Sequence, residues 1–135
     1  MGEGKNNVCI VRVLVEDVEP IIPQLGGRIQ IVRAPCNEVV MFAAILTLRS
    51  FERGTNHAKT LGGELLLRLT GTLQIKDAIR EVGISQGDNY LVFFGSREEC
   101  TEFMRGFNLK ELPSIECARD KMKTFFENAA LVEVL

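Results

Sequence analysis

Apolar positions along the chain come in short runs punctuated by glycine and proline. Residues 8–15, VCIVRVLV, are β-branched and apolar on both faces except at Arg12, which predicts a strand covered on two sides. In DVEPIIPQLGG, Asp17 and Pro20 are placed to start a short helical turn that Gly26 and Gly27 stop. Residues 28–34, RIQIVRA, alternate in part and predict a second strand. Asn37 is placed to cap a long helix running to about Arg53, with Glu38 in the first turn, where the helix dipole favours a carboxylate. Residues 39–46 leave its first two turns no polar face, and a helix that is apolar all round is covered on both sides.

Residues 64–71, ELLLRLTG, predict a third strand, with Leu65, Leu67 and Leu69 on one face and Leu66, Arg68 and Thr70 on the other. Gly71 makes the turn into a helix whose Ile75, Ala78, Ile79 and Val82 fall at i, i+3, i+4 and i+7, one buried stripe. Gly83 takes the usual left-handed position after that helix. Residues 90–95, YLVFFG, predict a fourth strand. Ser96 and Glu99 have the spacing of a capping box, so another helix follows. A last helix, starting near Pro113 and Ser114, sets Met122, Phe125, Phe126 and Ala129 on one inward stripe. The whole predicts an α/β fold: a single domain, 1–135, with a mixed sheet of four or more strands packed with helices.

At 135 residues, 46% hydrophobic and 25% charged, the chain has the composition of a globular domain rather than a disordered one. A net charge of -2 excludes a global basic field that would draw it onto nucleic acid, though not a local patch. The start, MGEGKNNVCIV, shows no apolar run after a positive region, and no stretch approaches the roughly 20 apolar residues of a membrane helix. The expectation is a cytoplasmic protein without membrane contact. Cys9, Cys36, Cys100 and Cys117 are scattered with no C-x-x-C, so they are expected to be reduced, buried or half-buried thiols rather than metal ligands.

Candidate chemistry is sparse. The strand–Gly–helix turn LTGTLQIK has one glycine, where a P-loop needs G-x-x-x-x-G-K-[ST] and a dinucleotide fold three spaced glycines. It is scaffold. His57 is the single histidine and has no evident nucleophile or orienting partner. The acids pair as helix starts and solvated faces, without metal spacing. The expectation is no catalytic residue, no metal and no cofactor. Two features remain. Arg49, Arg53, Lys59 and Arg68 gather basic charge around His57, which suits a phosphate-backbone contact, although Glu52 and Glu64 can neutralise it. The chain also ends on AALVEVL, although termini are commonly polar, so this end is docked either in its own fold or on a partner.

The ordered set Glu64, Leu66, Leu67, Leu69, Thr70, Gly71, then Gln74, Ile75, Ala78, Ile79, Gly83 and Ile84, then Val92 to Phe94, resembles the kinase-binding subunit of the KEOPS complex, the TPRKB-like family. The likeness runs from about Val8 to Leu135 and is strongest between Asn37 and Phe94. It implies a non-catalytic subunit that binds the N-lobe of the complex's small atypical kinase, meets the other KEOPS subunits indirectly, and supports threonylcarbamoyl-adenosine formation next to the tRNA anticodon. It further implies that the chain helps hold tRNA at its 3′ end. On that resemblance the kinase-facing candidates are Leu131, Val132, Val134, Leu135, Met41 and Ile45, and the tRNA-facing ones are Arg49, Arg53, Lys59 and Arg68. The rival readings are a stand-alone RNA-binding module, which needs more positive charge or stacking aromatics, and a small-molecule enzyme, which needs a cleft with perturbed ionisable groups.

Overall fold

The computed structural model describes residues 7–134, with Ala129, Glu133 and Val134 described in backbone only. Four strands, β1 (Cys9–Val15), β2 (Ile29–Val32), β3 (Gly87–Phe93) and β4 (Lys110–Glu111), form one sheet in the order β2-β3-β1-β4. Every pairing in it is antiparallel. Five helices complete the expected α/β domain: α1 (Asn37–Arg53), α2 (Leu61–Thr70), α3 (Ile75–Val82), α4 (Arg97–Gly106) and α5 (Arg119–Val134).

Strand periodicity of two divides the core into two layers. On one face Val32, Tyr90, Val92 and Phe94 pack with buried residues of α1, α2 and α3, and α5 adds Met122 and Phe125. On the other, Val11, Val13, Val15, Ile31, Leu91 and Phe93 pack with Cys100 and Phe103 of α4. Strand β1 is therefore covered on both sides, as its sequence predicts. The capping box at Ser96 and Glu99 is also present.

The expected third strand is a helix. Residues 61–70 form α2, capped by the Thr60 hydroxyl, which accepts from the Gly63 N–H at 3.1 Å, and closed by Gly71 at φ +78°. Every residue from Gly62 to Leu69 is buried. Surrounded on all sides, the segment shows no amphipathic period, so alternation could not distinguish strand from helix. Its leucines favour helix and it has no β-branched residue before Thr70.

Packing corrects other expectations. In α3 only Ala78 and Val82 are buried, whereas Ile75 and Ile79 are 36% and 52% exposed. Gly83 is extended rather than left-handed, at φ -64°. It is required by close approach, since a Cβ there would lie 2.4 Å from the Ile79 carbonyl oxygen. Residues 112–118 form an irregular strap, so α5 begins at Arg119 and not near Pro113. Cys36 and Cys117 form a disulfide across a separation of 81 residues, contrary to the expectation of four reduced thiols. The fold brings the cap of α1 against the strap, a meeting that Cys spacing alone does not reveal. Cys9 and Cys100 remain free and buried.

One surface pair has a consequence for acid stability. Arg28 donates to Glu99 at 2.8 Å, the Ser96 backbone N–H donates as well, and together they hold the Glu99 carboxyl at about 2 against an ordinary 4.5. The unfolded carboxylate binds its proton first, so the pair's contribution is complete above a pH of about 4.5 and disappears as pH falls towards 2. Glu99→Gln should lower stability at neutral pH and flatten the acid limb, so that the two proteins converge as pH falls towards 2. Urea midpoints across the acid range measure this, and parallel limbs for the two proteins would contradict it.

Candidate functional site

The loop between α1 and α2 is built around a buried carboxylate. Glu64 Oε1 accepts from the backbone N–H groups of His57 and Ala58, both at 2.8 Å. Its Oε2 faces Arg68, one turn on, with Nε at 3.0 Å and Nη2 at 2.9 Å. Both side chains are fully buried. An i, i+4 pair of opposite charge is a helical spacing, and it is the signal in this segment that points to α2. The His57 ring then reaches the Val132 carbonyl through Nε2 at 2.9 Å. A carbonyl only accepts, so this contact needs the proton on Nε2 and leaves that nitrogen unable to act as a base. His57 thus ties the loop to the end of α5.

These contacts sort the candidate residues. Arg68 is enclosed against Glu64, so it cannot meet RNA in this fold, which corrects its place among the surface cations. Arg49, Arg53 and Lys59 are exposed. Lys59 lines two neighbouring grooves, one with Leu48, Phe51 and Glu52, the other with Ile22, Leu66, Ile75 and Ile79. The second groove has a volume of about 640 Å³ and predominantly apolar walls. Sequence periodicity assigned Ile75 and Ile79 to one face correctly. It carried no signal that part of this face stays uncovered, and it gave no role to Ile22.

Among the candidate partner-facing residues, Val132 is fully buried and belongs to this chain's own interior, a correction, while Leu131 beside it is 47% exposed. On a helix, consecutive residues point about 100° apart, which is why neighbours in AALVEVL separate. The side chain of Val134 and all of Leu135 lie outside the described residues. Met41 and Ile45 are 44% and 38% exposed, one turn apart on α1, and line a further groove with Val8, Ile10 and Arg97. The adjacent Phe42 turns the other way and meets Phe126 of α5, ring centroids 4.4 Å apart.

Among the described residues no group of three or more His, Cys, Asp or Glu side chains is placed to hold a metal ion. Burial, with a further contribution from contact with Cys9, pushes the Cys100 thiol far above its ordinary range, so it is a poor nucleophile. No helix among the described residues is long and apolar enough to cross a membrane.

No family model matches the chain. It is 40% identical, over 135 residues that take in 98% of its length and 79% of the relative's, to the KEOPS complex subunit Cgi121 of Pyrococcus abyssi (strain GE5 / Orsay).

Proposed function

The chain belongs to the KEOPS Cgi121/TPRKB family, and from that premise we propose that it is a non-catalytic subunit that binds the N-lobe of the complex's small atypical kinase and helps hold tRNA at its 3′ end. The kinase reading is carried by Leu131, an apolar side chain left 47% exposed on α5 beside the fully buried Val132. The helix is held by its own core on one side and offers Leu131 on another. Met41 and Ile45 on α1 extend the apolar surface available to a partner. His57, engaged with Val132 and the Glu64 network, serves structure instead of acid–base chemistry.

The RNA reading rests on Lys59. An unpaired nucleotide is held by an apolar wall for its base and a cation for its phosphate. The groove between Ile22 and Ile79 supplies the wall and Lys59 the cation, and Arg49 and Arg53 are further exposed cations on α1.

The test is a pair of titrations with the full chain, one against the purified kinase and one against tRNA. A charge at the centre of a protein contact costs on the order of 2–5 kcal/mol. Leu131→Glu should therefore weaken kinase binding by at least about 30-fold, while tRNA binding and the unfolding midpoint stay put. Undiminished kinase affinity would move the interface off α5. In the second titration, the Arg53→Ala, Lys59→Ala double variant should lose about one unit of log–log salt slope per phosphate contact removed. An unchanged slope would make these cations ordinary surface. Strong tRNA binding without any kinase binding would instead favour a stand-alone RNA module.

A further inference from the structure

We propose that the Cys36–Cys117 disulfide is a redox-controlled fastener, and that a dithiol reductant releases the 112–118 strap together with α5. The inference extends the reading of α5 as the partner-presenting helix, because it makes that presentation conditional on the bond.

The strap has little else to hold it by burial. Pro113, Ser114, Ile115, Glu116 and Ala118 are exposed, Ile115 at 41%. Leu112 and Cys117 are half-buried. Beyond its first residue, five hydrogen bonds involve the strap among the described residues, one of them from the Met122 N–H to the Ala118 carbonyl at 3.1 Å, where α5 begins. Arg12 Nη1 donates to the Pro113 carbonyl at 2.9 Å, and the Ile115 N–H donates to the Tyr90 hydroxyl at 3.2 Å. The Asn37 N–H donates to the Ile115 carbonyl at 2.7 Å, and the Cys117 N–H donates to Glu38 at 3.0 Å. Hydrogen bonds of this kind, at a partly wet surface, exchange readily with water. The covalent bond is what pins the strap to the first turn of α1.

The seating of α5 depends on that pin. The helix packs across α1 and α2 with half-buried Met122, Phe125 and Phe126 and, near its far end, the buried Val132. Low-stability units open as contiguous segments, and a segment with few buried side chains and an exposed entry is such a unit. The strap and α5 together meet that description, whereas β1, β3 and α2 are buried through most of their length.

Reduction is chemically accessible from one side. Cys36 is 2% exposed and Cys117 is half-buried, so Cys117 is the more accessible of the two residues and the side from which attack is expected. A thiolate of the dithiol bonds to Cys117 Sγ, the Cys36–Cys117 bond breaks, and its electron pair leaves on Cys36 Sγ, which takes a proton from water. The second thiol of the reductant then attacks the mixed disulfide, closes its own disulfide and frees Cys117. Two electrons and two protons pass from the dithiol to the cysteine pair. Cys9 and Cys100 are already free thiols and take no part.

Hydrogen exchange of the full chain, oxidised and after dithiothreitol, tests the device without any partner. Reduction should speed exchange in residues 112–134 by about tenfold or more while β1, β3 and α2 keep their protection. A Cys36→Ser, Cys117→Ser variant should show the reduced pattern in both buffers. Unchanged exchange in residues 112–134 would overturn the proposal, and so would a uniform acceleration across the molecule, since the bond would then hold the whole fold. Kinase titration of the oxidised and reduced chain is read separately. Selective release of α5 with undiminished kinase affinity would keep the fastener and remove the partner from α5.

Discussion

Arg68→Ala is expected to lower the unfolding free energy by about 3–5 kcal/mol, the cost of leaving one partner of a buried ion pair without the other. Glu64 is fully buried, and its second oxygen would lose the contacts at 3.0 and 2.9 Å that Arg68 supplies. The effect should reach beyond the pair. The same carboxylate holds the N–H groups of His57 and Ala58, and His57 in turn meets Val132, so the loop and the end of α5 should loosen together. A Glu64→Gln, Arg68→Met double variant keeps an acceptor for the two N–H groups and removes both charges. It should recover much of the loss, because replacing a buried pair by neutral groups of similar volume is often close to neutral. Urea unfolding at neutral pH measures all three proteins. An Arg68→Ala variant within about 1 kcal/mol of the parent would mean that water reaches the pair and that its burial is not costly.

Val132→Glu should cost about 3 kcal/mol or more of stability, whereas Leu131→Glu should shift it by no more than about 0.5 kcal/mol. Adjacent residues of one apolar tail are thus expected to respond in opposite experiments. Val132 has no exposed surface, so a carboxylate there must stay desolvated or force the end of α5 off α2. Leu131 is 47% exposed, and a carboxylate there stays in water until a partner covers it. Paired urea midpoints decide the matter. A Val132→Glu protein with the parent's midpoint would show that α5 does not bury this position in solution, and the two residues would then return to a common surface role.

Strands β1, β2 and β3, the long helix α1 and the capping box of α4 were legible from sequence because each is specified by neighbours within a few residues. Alternation, runs of β-branched side chains and a Ser-x-x-Glu spacing are local signals, and they match the observed strands and cap, whereas α1, expected to be covered on both sides, leaves Met41 and Ile45 exposed. The family was legible too, from the order of small motifs that no single position carries. Helix α2 was not, since a segment buried on every side has no polar face to mark its period. Nor was the location of Arg68. A cation in an apolar run is ordinarily a solvated one, and the folded contact with Glu64 is part of what makes its burial tolerable. The remaining decisions belong to residues far apart in the chain. Cys36 and Cys117 meet because the strap crosses the start of α1. Val132 is covered while Leu131 is not because α5 lies against α2 on one side, and Ile75 and Ile79 keep an open groove because nothing among the described residues packs fully over them. Periodicity states which side chains share a face. Whether that face is covered depends on long-range packing, and that contact is made by the tertiary fold alone.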